Sequence, residues 1–155
     1  MNVPFLRIGF LLFCTLTACQ KTGNNGNKIP EISNLQQSAR IIHINPGSED
    51  TLLFQFRFKD GDADVNGGKA KVVFKNILDT AAVEVDYPFP EISAVLNPIK
   101  GINGLALISL DANAILFQIP DTSKTSDVHL YDVYMQDDAG NKSNVLRTDS
   151  VLVTN

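Results

Sequence analysis

Cysteine is scarce in this chain and confined to its start: Cys14 and Cys19 are the two it has. Residues 20–155 can therefore form no disulfide among themselves, and a fold there must be held by its own core or by bound ions. Basic clusters are missing too. With 13 Lys and Arg against 17 Asp and Glu, a net charge of −4 and a pI near 5.0, the chain lacks the basic footprint that nucleic acid requires, and nucleic acid is excluded as a partner. No apolar run reaches the roughly 20 residues of a membrane-spanning helix, and beyond residue 19 no stretch keeps a helical period long enough for a stable helix. Gly-x-Ser-x-Gly, a Walker-type phosphate loop and a Cys/His nucleophile pair are all absent. His43 and His129 stand without a second His or Cys at ligand spacing, which argues against a transition-metal site. No catalysis is expected.

The start of the chain has the layout of an export signal: Arg7 as its single charge, an apolar stretch from Ile8 to Leu16, then small residues before a cysteine. Leu16-Thr17-Ala18-Cys19 resembles the lipobox of bacterial lipoprotein signal peptides. That resemblance implies that the Cys19 thiol takes a diacylglycerol, that cleavage before Cys19 makes it the first residue, and that Cys14 and Arg7 leave with the signal. Two or three acyl chains, palmitate among them, make a stable anchor, since each buried CH₂ is worth about 0.8 kcal/mol. Residues 1–18 are thus expected to be a lipoprotein signal peptide, 19–28 the lipidated cysteine and a flexible tether, and 29–155 the folded domain. The tether from Gln20 to Lys28 is rich in Gly and Asn and carries no apolar side chain. Its r.m.s. reach is about 15–18 Å. Gln20 and Lys21 lack the acidic cluster that the resemblance associates with surface export. The expected address is the outer membrane, facing the periplasm, with the membrane engaged through the lipid.

From Ile29 onward the hydrophobic period is two. In Thr51–Lys59, Leu52, Phe54, Phe56 and Phe58 alternate with Leu53, Gln55, Arg57 and Lys59, the pattern of a strand with one buried face. Lys69–Asn76 repeats it with Ala70, Val72 and Phe74 inward. Val128–Gln136 is richer in apolar residues on both faces, with Tyr131, Val133 and Met135 opposite Leu130, Asp132 and Tyr134, as a central strand would be. Further strands are expected in Ile29–Ile44, Ala81–Asp86, Gly104–Leu110, Ala114–Ile119 and Asn144–Val153. Asn45-Pro46-Gly47, Asn66-Gly67-Gly68, Asn103-Gly104 and Ala139-Gly140-Asn141 supply the turns between them. Three prolines between Tyr87 and Gly101 remove ladder donors, so that segment reads as an edge excursion. The expected fold is all-β, an immunoglobulin-like sandwich of about seven strands, with a barrel as the second choice.

Three stretches carry a family resemblance: Phe58-Lys59-Asp60-Gly61-Asp62-Ala63-Asp64-Val65, the run from Asp121 to Asp127, and Asp137-Asp138-Ala139-Gly140-Asn141-Lys142-Ser143-Asn144. They resemble the Ig-like (fibronectin III-like) domains of small lipoproteins from Bacteroidetes-type bacteria, in which glycine usually stands where this chain has Ala63. The resemblance implies the sandwich fold and a place in the cell envelope. It is silent on task.

Asp60, Asp62 and Asp64 alternate with small residues, a spacing that can turn three carboxylates into one concavity and suits a hard cation with oxygen ligands. An EF-hand is rejected, because Val65 stands at its sixth position and Lys71 at its twelfth. In an Ig-like sandwich the B–C and F–G loops emerge at the same end, which would bring Asp60, Asp62 and Asp64 to Asp137, Asp138 and Asn141. Hydrated turns are the plainer reading, and a Ca²⁺ site built from Asp60, Asp62, Asp64, Asp137 and Asp138 the sharper one. Tyr87, Phe89, Tyr131 and Tyr134 could stack on a sugar, although core packing is the expectation, and Tyr131 is expected to bond back to the corner before its strand, around Asp127. Asp50-Thr51-Leu52, Asp79-Thr80-Ala81 and Asp149-Ser150-Val151 resemble an O-glycosylation motif of the same bacteria. The functional expectation is a lipid-anchored envelope protein whose Ig-like domain binds or positions a protein or glycan partner. The alternatives are a carbohydrate-binding accessory module or, further off, a hydrolase.

Overall fold

The computed structural model describes residues 27–65, 68–89 and 101–155. The export signal, Cys19, most of the tether and residues 90–100 of the proline-rich segment lie outside the described residues. Among the described residues ten strands follow in order: β1 (Glu31–Gln37), β2 (Ile41–His43), β3 (Thr51–Asp60), β4 (Lys71–Asn76), β5 (Val85–Pro88), β6 (Ile102–Asp111), β7 (Ser126–His129), β8 (Tyr131–Gln136), β9 (Leu146–Arg147) and β10 (Val151–Thr154).

One layer has the order β1-β3-β6. β3 buries Leu52, Phe54, Phe56 and Phe58 while Arg57 and Lys59 stay exposed, as the period-two pattern requires. It pairs along its whole length with β6, from Thr51 opposite Asp111 to Asp60 opposite Ile102. Phe58 faces Gly104 in that ladder, and a Cβ on Gly104 would come within 2.8 Å of the ring, so the glycine makes room for the aromatic.

The other layer holds the four-stranded sheet β5-β4-β8-β9, and a separate three-stranded sheet has the order β2-β10-β7. A single residue, Leu130, separates β7 from β8, so the two are one line of chain. The first line changes layer: β1 pairs antiparallel with β3, whereas β2 pairs parallel with β10. Counted as lines, β1/β2, β3, β4, β5, β6, β7/β8 and β9/β10 make seven. Their arrangement, with the second and fifth lines paired in one layer and the third, sixth and seventh in the other, is that of an immunoglobulin-like sandwich. The core between the layers draws on almost every strand, and its largest members are Phe54, Phe56, Phe74, Phe117 and Tyr131. Each fully buried Phe or Leu contributes about 1.5–3 kcal/mol.

The strands depart from the sequence pattern at particular points. Ala114–Ile119 is no strand: Ile115–Phe117 forms a 3₁₀ turn, because Asp111 captures the Asn113 and Ala114 amides and the turn drops Leu116 and Phe117 into the core. Val73, on the outer face of β4, is also buried, since it lies opposite Tyr134. The strand expected at Ala81–Asp86 runs instead over Val85–Pro88, where β4 offers it partners.

Candidate functional site

β3 ends at Asp60, whose residue is 1% exposed. The chain then turns sharply through Ala63, which adopts a positive φ of 59°, a conformation uncommon outside glycine. The turn brings the Asp64 amide back to donate to Asp60 Oδ2 at 3.0 Å. At the end of β8, Asp137 is also 1% exposed and closes the loop to β9: its Oδ1 accepts from the Asn141 amide at 2.7 Å and its Oδ2 from Asn141 Nδ2 at 2.8 Å. The two loops are tied directly, since the Asp138 amide donates to the Asp64 carbonyl at 2.8 Å.

Asp60, Asp64 and Asp137 thus meet, each presenting a carboxylate oxygen within 4.8 Å of the others. Asp62 and Asp138 stand outside this trio. Asp62 lies 4.0 Å from Lys28 Nζ. Asp138 Oδ1 accepts the backbone amides of Lys69 and Ala70 at 2.8 and 2.7 Å, so it holds the entry to β4. Within the cluster, Oδ1 of Asp60, of Asp62 and of Asp64 is buried and has no hydrogen-bond donor. Burial, followed by the charges of Asp137, Asp62 and Asp60, pushes the Asp64 carboxyl up to about 7. Asp60 is raised as well, by burial first and then by the Asp62 charge. The start of the domain docks here: the Gly61 amide donates to the Asn27 carbonyl at 3.1 Å and Asn141 Nδ2 to the Lys28 carbonyl at 3.4 Å.

The other expected residues fall elsewhere. Phe89 and Tyr131 are buried in the core and Tyr87 packs edge-to-face on Phe74; Tyr134 is buried on the outer face of β8, with Lys142 Nζ 4.6 Å over its ring and its hydroxyl donating to Glu84, so the four rings form no exposed platform. Tyr131 does bond back to a corner, but not at Asp127: its hydroxyl donates to the Leu116 carbonyl at 2.9 Å, in the 3₁₀ turn. His43 pairs with Asp50 at 2.8 Å, and His129 Nδ1 with the Tyr131 hydroxyl at 2.7 Å. At this end, opposite the carboxylates, a cavity of about 260 Å³ is lined by Val83, Val85, Ile115, Leu116, His129 and Tyr131. Sequence reasoning missed it because the cavity exists only once the 3₁₀ turn is placed against β5 and β7. Thr51, Thr80 and Ser150 are exposed. No helix among the described residues is long and apolar enough to cross a membrane.

The class of protein is therefore an Ig-like β-sandwich with an acidic loop pair at one end. No family model matches the chain, and no curated protein does. Among solved structures it is similar to a Niemann-Pick type C2 protein from Japanese carpenter ant, at 17% identity and a TM-score of 0.47 over 83% of this chain and 96% of that one. It is also similar to part of a β-glucosidase from Listeria innocua, at 16% identity and a TM-score of 0.44 over 81% of this chain. The match spans 16% of the glucosidase.

Proposed function

We propose that this chain is a lipid-anchored protein of the bacterial cell envelope whose Ig-like domain binds or positions a partner without catalysis. The observation that carries the reading is Leu16-Thr17-Ala18-Cys19 at the end of a short apolar stretch, a pattern that serves lipidation and cleavage together. A second supports it. The chain enters the domain at the acidic-loop end, through Asn27 and Lys28, so a tether from Cys19 would hold that end towards the bilayer and leave the opposite end free for a partner. The address that goes with this reading is the outer membrane, facing the periplasm.

The test is Cys19→Ser. The variant should fold as the parent does and leave the membrane fraction after a high-salt wash; retention on membranes would overturn the anchor. Protease treatment of intact cells that removes the domain would overturn the periplasmic orientation. A pull-down with the Cys19→Ser protein would then identify the partner. The carbohydrate-binding alternative loses its support, because the rings it needs are covered, three in or against the core and Tyr134 beneath Lys142. A hydrolase reading draws on the raised Asp64 carboxyl, yet Asp60 and Asp137, each 1% exposed, leave a substrate no approach.

A further inference from the structure

We propose that Asp60, Asp64 and Asp137 form a calcium site that clamps the loop after β3 to the loop after β8. The proposal is independent of the membrane anchor.

The first argument is geometric. Calcium takes oxygen ligands at about 2.3–2.6 Å, so any two of them lie within roughly 5 Å of each other. Three carboxylate oxygens lying within 4.8 Å of one another meet that condition. They come from two loops far apart in sequence and joined by the Asp138 amide to the Asp64 carbonyl, so the donors are held by backbone and not by mobile side-chain reach.

The second argument is an unmet bonding demand. Buried polar atoms are almost always hydrogen-bonded, and those that are not call for a water or an ion. Asp60 is 1% exposed with Oδ1 unpartnered, and Oδ1 of Asp62 and of Asp64 is buried and unpartnered too. Carboxylates taken out of water are retained where they are paired or coordinate a metal. Among the described residues, the basic side chain that reaches this cluster is Lys28, at 4.0 Å from Asp62, and its own side chain is largely exposed. A single proton shared within the trio would still leave two negative charges. A divalent cation cancels them.

The donor chemistry selects among cations. An all-carboxylate set without His or Cys suits calcium or magnesium rather than zinc or copper. Magnesium demands near-ideal octahedral geometry and keeps much of its water, whereas calcium accepts irregular donor sets. Asp62, which shares the loop and adds negative charge, can serve as a further ligand directly or through water.

The experiment uses the purified full-length protein in detergent, stripped with EDTA and dialysed, then titrated with CaCl₂ or MgCl₂ while its thermal melt and its bound ion are measured. One calcium per chain should bind with a Kd of about 10⁻⁴–10⁻³ M, the range of extracellular modules, and the melting temperature should rise. Asp64→Asn and Asp137→Asn, each with one charged donor fewer, should bind at least about tenfold more weakly. Asp121→Asn, an exposed carboxylate in a different loop, should bind as the parent does. No bound calcium at 10 mM would overturn the site and leave a shared proton or water as the occupant. An equal melting shift in parent and Asp64→Asn would overturn it in favour of general surface screening, and equal affinity for magnesium would overturn the choice of calcium.

Discussion

Tyr131 and His129, two residues apart on one line of chain, share a buried hydrogen bond of 2.7 Å between the tyrosine hydroxyl and His129 Nδ1. Assigning the hydroxyl proton to the Leu116 carbonyl makes the hydroxyl the acceptor of a hydrogen carried on His129 Nδ1, the tautomer that satisfies both contacts. Nε2 is left bare and without a partner. The pair pins the 3₁₀ turn to the entrance of β8 and decides how that corner closes.

Tyr131→Phe removes the link and strands two partners at once, the Leu116 carbonyl and the His129 N–H. The expected loss is about 1–3 kcal/mol, read as a lower urea midpoint with an unchanged slope. A variant as stable as the parent would mean that water replaces the hydroxyl.

Burial holds the His129 imidazole below its ordinary value, outweighing the opposing pull of the Asp127 charge. The sign follows from linkage. Below about pH 6.5 the unfolded chain takes up a proton that the folded chain refuses, so stability falls as the pH drops through that value until the folded group itself protonates. Because the raised Asp64 carboxyl acts in the opposite direction over the same window, the His129 share is read as a difference: from pH 8 to 5 the urea midpoint of the parent should fall relative to that of His129→Gln.

Phe56→Ala should cost about 3–5 kcal/mol, because Phe56 is 0% exposed in the packed face of β3. Arg57→Ala, on the exposed face of the same strand, should stay within about 0.5 kcal/mol. Denaturant midpoints compare the two, and equal effects would contradict the register with β6.

Asp64→Asn should raise the melting temperature measured in EDTA at pH 8. The Asp64 carboxyl is pushed up to about 7 by burial and by its acidic neighbours, so its contribution is fully present below the ordinary carboxylate range and is lost as the pH rises through 7. Parent and variant should therefore converge near pH 4 and separate towards pH 8. Curves that stay parallel would show that the Asp64 charge is not strained.

Asp138→Ala should cost about 1–3 kcal/mol, since its Oδ1 serves the amides of Lys69 and Ala70 together. Hydrogen exchange should quicken at those two amides before it does within β4. Exchange that leaves them unchanged would show that Asp138 is not what holds the entry to that strand.

The alternation of Leu52, Phe54, Phe56 and Phe58 with Gln55, Arg57 and Lys59 was enough to place β3, orient it and name its buried face, because a period of two is a local property that any half-buried strand must satisfy. The all-β class and the Ig-like arrangement were legible for the same reason, and so was the meeting of the two acidic loops, which follows from the order of strands once a sandwich is assumed. Ala114–Ile119 misled because a short apolar run has no periodicity to separate a strand from a buried turn; the Asp111 cap and the space beneath Leu116 and Phe117 made that choice. Which carboxylates converge was likewise beyond local pattern. Five aspartates lie in the two loops, and sequence treats them alike, but the positive φ at Ala63 and the two amides waiting for Asp138 send Asp60, Asp64 and Asp137 inward to one point and turn Asp138 to the backbone. Distances of that kind are set by hydrogen bonds between residues some seventy positions apart, and only the closed sandwich forms them.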